Sequence, residues 1–152
     1  LIDEETTGSG TTVTLAGIPS SAKTVSILFD EVSTSGSDTV SIRLGDADGI
    51  ETSGYISTLG LAQSTFASNS SGSHMPISAG GGGAYLISGI VHLRLMNSSS
   101  NRWAYGHTGK ATTAIVLTGG GVKSLTAPLS QVEVVTFSGA FDNGVVNLQY
   151  TE

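Results

Sequence analysis

The chain has 152 residues, a length that suits one domain with its own core. It contains no cysteine, which excludes disulfides and thiolate chemistry, and its net charge of −6 argues against a nucleic-acid partner, whose phosphates need clustered Lys and Arg. No apolar run reaches the roughly 18 residues of a membrane-spanning helix, and no segment reads as a signal peptide, so membrane insertion is not expected.

Charged residues make up only 12% of the chain, and Gly, Ser and Thr supply most of the polarity. That composition suits a β-rich protein with many short turns and a hydroxyl-lined surface. The chain begins with Leu, so a trimmed chain or a fragment of a longer protein is expected, folded as a single domain over 1–152.

Period-2 alternation runs through the sequence. In "KTVSILFDEV", Val25, Ile27 and Phe29 share one face; in "DTVSIRLG", Val40, Ile42 and Leu44 do the same. With "STSGS" between them, the two segments read as a hairpin with a longer loop. "LGDADGIETSGY" follows and gathers Asp46, Asp48 and Glu51 around glycines. "GLAQSTFAS" has room for one or two helical turns at most, and "SNSSGSHMPISAGGGG" reads as a loop. "IVHLRLMN" places Val91, Leu93 and Leu95 inward, and "NRWAYGHT" is expected to pair back on it. "TTAIVLTGGG" reads as a strand buried on both faces that ends at its glycines. "QVEVVTFSGAF" and "VVNLQY" flank Asn143–Gly144, a strong signal for a tight hairpin turn. Many short strands with Gly/Ser turns predict an all-β antiparallel sandwich of jelly-roll type.

The acidic cluster raises the question of a cation. An EF-hand spreads its oxygens over about twelve residues between helices. Here the carboxylates crowd into 46–51 with strands on both sides, so an EF-hand is excluded. Asp46, Asp48 and Glu51 are the candidates for any other calcium loop, but a turn capped by its own carboxylates is the expected reading, with no metal and no cofactor. The histidines are His74, His92 and His107; no G-x-S-x-G elbow and no H-E-x-x-H occurs. "TGGGVKS" lacks the glycine that a phosphate loop needs before Lys123. Paired carboxylates for glycoside hydrolysis, Glu31 with Glu133 or Asp142, read more simply as solvated charges at strand ends. Trp103 and Tyr105 alternate onto one face of a strand. Exposed, they would stack on sugar rings; buried, they are core, and core is the expectation for Trp103.

Three segments, "GIPSSAKTVSILFDEVSTSG", "IRLGDADGIETSGY" and "FDNGVVNLQY", resemble a β-rich domain of tailed bacteriophages and prophages, found in tail-fibre and other virion structural proteins. The likeness runs across nearly the whole chain and is weakest between Ala62 and Gly83. It implies a virion location after assembly in the bacterial cytoplasm, a homotrimer, contacts with other virion proteins and no catalytic residues. It further implies attachment to a host-surface glycan or protein, for which the Ser/Gly-rich loops at 68–83 and 97–101 are candidates. Asn69 and His74, with Trp103 and Tyr105 if exposed, are the candidate binding residues. A capsid decoration or cement protein is the alternative, and a polysaccharide-degrading enzyme a third reading.

Overall fold

In the computed structural model, which describes residues 2–37, 39–64, 66–78, 85–112 and 114–152, the alternating segments fold into strands, with no helix among the described residues. In chain order these are β1 (Ile2–Thr6), β2 (Thr12–Ala16), β3 (Thr24–Thr34), β4 (Ser41–Asp46), β5 (Gly49–Ile50), β6 (Tyr55–Ala62) and β7 (Phe66–Ser71). After them come β8 (Met75–Pro76), β9 (Ile87–Asn97), β10 (Arg102–Ala111), β11 (Ile115–Ser124), β12 (Gln131–Val135) and β13 (Phe141–Thr151). The larger sheet has the order β1-β13-β3-β9-β10-β11-β6-β7; the smaller runs β2-β12-β4-β5, with β8 also on β4. All pairings are antiparallel, and the two sheets pack as a β-sandwich.

The core is built from the inward rows that the alternation marked. Val25, Ile27 and Phe29 of β3 and Val91 and Leu93 of β9 are buried, and Leu95 packs partly buried against them. Across the sandwich lie Val40, Ile42 and Leu44, with Val132 and Val134 of β12 beside them. Each such side chain, fully buried, contributes roughly 1.5–3 kcal/mol relative to exposure. Tyr55 crosses from the larger sheet to the smaller: its hydroxyl accepts the Leu44 N–H at 2.8 Å and donates to the Glu51 carbonyl at 2.8 Å. Burial pushes its ionisation far up.

Five local expectations are corrected. β3 and β4 do not form a hairpin: β3 lies between β13 and β9 in the larger sheet, and β4 pairs with β12 in the smaller. Their apolar rows face each other across the core instead of lying side by side. Asn143–Gly144 is not a hairpin turn either; it sits inside β13, where the register shifts against β3. There Asn143 Nδ2 donates to the Glu31 carbonyl at 2.9 Å, and Gly144 has φ 96°, with Glu31 backbone 2.6 Å from where a Cβ would stand. The Asn-Gly pair supplies a bulge.

β11 is buried on one face only, with Ile115 and Leu117 inward and Val116 57% exposed, and it runs on through Gly119–Gly121. The inward glycines are needed there because Tyr105 and His107 lie over Gly121 and Gly119 of the paired strand. Finally, "GLAQSTFAS" carries the end of β6 and the start of β7 instead of helical turns, and "SNSSGSHMPISAGGGG" contains most of β7 and all of β8. Its residues 79–83 lie outside the described residues.

Candidate functional site

The acidic loop is a structural clamp. Asp46 Oδ1 accepts the Asp48 N–H at 3.0 Å, which makes the expected turn. Asp46 Oδ2 accepts the Thr126 hydroxyl at 2.7 Å and the Ala127 N–H at 2.9 Å. Glu51 Oε1 accepts the Thr126 N–H at 2.8 Å, while Oε2 pairs with the buried Lys123 ammonium. The Thr126 hydroxyl, joined by the Asp48 and Ala127 N–H groups and opposed by burial, holds the Asp46 carboxyl below its ordinary range. These oxygens are spent on protein donors, and among the described residues no group of three or more His, Cys, Asp or Glu is placed to hold a metal ion.

What the clamp holds is one wall of a cleft. Residues 125–130 connect β11 to β12, with Leu125 and Leu129 buried, the Leu125 N–H on the Asn101 carbonyl at 3.1 Å and the Ser130 N–H on the Gly45 carbonyl at 3.0 Å. Pro128 and Leu129 face a cleft of about 300 Å³ at this end of the sandwich. The β2–β3 connection makes the opposite wall with Pro19, Ser20, Ala22 and Lys23. It is set by Gly17 at φ 90°, by the Ile18 N–H on the Ser130 carbonyl at 3.1 Å and by a turn closed from Ala22 to Pro19 at 2.9 Å. The third side is the β9–β10 turn, where Asn97 Oδ1 accepts the N–H groups of Ser99 at 2.9 Å and Ser100 at 3.2 Å. Asn101 takes φ 44°, a conformation Asn tolerates, and Ser98 and Asn101 line the cleft with Leu95 and Trp103.

The cleft therefore has an apolar floor and a hydroxyl, amide and ammonium rim, the make-up of a small-molecule site. Among the described residues, none that lines it carries a carboxylate or an imidazole. A second cleft, of about 330 Å³, opens on the outer face of the larger sheet beside Leu28, Asp30, Asn147 and Gln149. Of the carboxylates considered for hydrolysis, Glu133 faces Arg43 at 3.9 Å on the smaller sheet, apart from Glu31 on the larger; Glu31 and Asp142 lie on the paired strands β3 and β13, outside the cleft, with Asp142 taking the Ser33 hydroxyl.

The sequence-derived binding residues do not form one site. Trp103 is buried at 2% exposure and reaches the cleft from below, its indole N–H without a partner among the described residues; Tyr105 is buried one register further in. Neither offers a free face for stacking. Asn69 is exposed on the edge strand β7 and accepts the Ser70 N–H at 2.8 Å. His74 lies against Phe137, ring centroids 4.8 Å apart, with Nδ1 3.0 Å from the Ser73 hydroxyl. Of the two candidate loops, 97–101 lies at the cleft, beside the central strands β9 and β10, while 68–71 is strand at an edge of the larger sheet. Lys23, Pro19 and Pro128 escaped the sequence reading, although two of the chain's three prolines stand in turns that meet here.

No protein-family model matches the chain, and no curated protein matches its sequence.

Proposed function

We propose that this chain is a non-enzymatic binding module of a tailed-bacteriophage virion, a homotrimeric tail-fibre domain that holds a host-surface saccharide in the end cleft. The cleft carries the binding part of this reading. Leu95, Pro19 and Pro128 offer the apolar surface that a sugar ring's C–H faces need, with Trp103 buried beneath them, and Ser20, Ser98, Asn101 and Lys23 offer donors and acceptors for its hydroxyls. A lining without carboxylate or imidazole supports holding over acid–base chemistry. The virion setting and the trimer rest on the resemblance of the three quoted segments. Single sugar contacts are weak, and a trimer raises apparent affinity by presenting several sites at once.

The purified chain, added to host cells, should block adsorption of the phage that carries it. Ser20→Trp, which fills the cleft mouth from an exposed position, should abolish that block without changing the melting temperature. Full blocking by the variant overturns the cleft assignment, and no blocking by the unaltered chain overturns the attachment role. Light scattering should return three times the 15.3 kDa chain mass, and a monomer at high concentration overturns the trimer.

A further inference from the structure

The placement of the basic residues says more about the ligand. The chain has twelve acidic and six basic residues. Two of the six are consumed inside the fold: Lys123 pairs with Glu51, and Arg43 faces Glu133. Lys110, which also makes no ion pair among the described residues, lies at the far end of β10, opposite Ser88 near the start of β9. The remaining three lie at the cleft end of β3, β9 and β10. Lys23 lines it directly. Its carbonyl accepts the Leu95 N–H at 2.9 Å, and the next residue, Thr24, stands opposite Arg94. Arg102 opens β10 between the cleft residues Asn101 and Trp103, two positions from Ala104, which also faces Arg94. All three side chains are exposed, and among the described residues none makes an ion pair or a side-chain hydrogen bond. The carboxylate tied into this corner, Glu152, accepts the Ser21 hydroxyl at 2.7 Å.

An acidic chain has every opportunity to neutralise three neighbouring cations, and here it does not. We infer that the cleft takes an anionic saccharide, a sugar unit bearing a carboxylate or a phosphate, with Lys23 binding the charged group at the rim. This rests on the saccharide reading above. Arg94 and Arg102 point to the outer face of the larger sheet, around the lip from the cleft. A polymer that leaves the cleft across that face meets their charge, so they attract the chain without contacting the bound ring.

Trp103 is the only tryptophan and lines the cleft, so its fluorescence reports occupancy. The protein is titrated with three oligosaccharides of equal length: one containing glucuronate, one phosphorylated and one neutral glucan. An anionic arm should bind at least about tenfold more tightly than the neutral one, weaken as salt rises, and lose about tenfold with Lys23→Gln. Arg94→Gln with Arg102→Gln should flatten the salt dependence, and Lys110→Gln at the far end should change nothing. A response to glucuronate alone assigns the carboxylate, a response to the phosphorylated arm alone assigns the phosphate, and either supports the inference. Equal binding of the neutral glucan, unaffected by Lys23→Gln, overturns the anionic assignment and leaves the saccharide cleft standing. No response to any of the three overturns the saccharide reading itself.

Discussion

Asp46 holds Ala127: its Oδ2 accepts the Ala127 N–H at 2.9 Å, across 81 positions of sequence. Ala127 precedes Pro128, so a carboxylate at the end of β4 sets the position of a wall of the cleft. The same oxygen takes the Thr126 hydroxyl. Asp46→Ala leaves both donors without their acceptor and should cost roughly 1–3 kcal/mol in urea unfolding, with the proposed saccharide binding weakened as well. A loss under about 0.5 kcal/mol, the size of an ordinary surface change, would show that the 125–130 segment is held by other contacts.

Calcium should not stabilise the protein. The Asp46 and Glu51 oxygens already accept protein donors, and freeing them costs those bonds. A ligand present at 100 times its dissociation constant adds about 2.7 kcal/mol. Millimolar calcium and excess chelator should therefore give the same melting temperature. A rise of several degrees with calcium would reopen the cation reading of Asp46, Asp48 and Glu51.

Stability should fall in two stages on acidification. His107 is buried, and burial pushes its pKa down to about 4, with the Ile77 backbone offsetting part of the effect. The unfolded chain takes up this proton near its ordinary value of about 6.5, so the contribution is complete above that pH and is lost as pH falls toward 4, about 3 kcal/mol in all. Asp46 has a lowered folded pKa, so its contribution is lost only below its ordinary value of 3.8. Denaturant unfolding across pH 7 to 3 should show both stages, and His107→Leu should flatten the first. An unchanged slope between pH 6.5 and 4 in that variant would place the titrating group elsewhere.

Gly119 and Gly106 should respond in opposite ways to alanine. A Cβ on Gly119 meets the His107 ring and the Thr58 carbonyl at 2.5 Å, and the backbone contact cannot yield cheaply. Gly119→Ala should cost about 1–3 kcal/mol or more. On Gly106 the first atom met is 3.9 Å away, so Gly106→Ala should be neutral or gain a few tenths of a kcal/mol from the stiffer unfolded chain. Equal losses at the two sites would refute the packing of His107 over β11.

Phe29→Ala should cost about 3–5 kcal/mol, because the ring is buried between the sheets and its removal leaves a cavity. A loss well under 1 kcal/mol would mean that the inward face of β3 has been misassigned.

The alternation of Val25, Ile27 and Phe29 and of Val91, Leu93 and Leu95 determined by itself that these segments are strands, and which face of each is inward. Side-chain direction on a strand depends only on local backbone geometry, with a period of two. The Asp46 turn was legible for the same reason, as a bond between near neighbours in sequence. The partner of a strand is a different matter. β3 and β4 are adjacent in sequence and share a pattern, yet they lie in opposite sheets, because an apolar row is buried equally well beside another row or across the core from it. Asn143–Gly144 permits positive φ, and whether that becomes a turn or a bulge depended on whether β13 met β12 or β3. The cleft was decided entirely by tertiary structure. Lys23, Asn101 and Pro128 come from three connections that carry no shared sequence signal, and they meet because β3, β9 and β10 are neighbours and Asp46 reaches across to the loop that brings Pro128 to them.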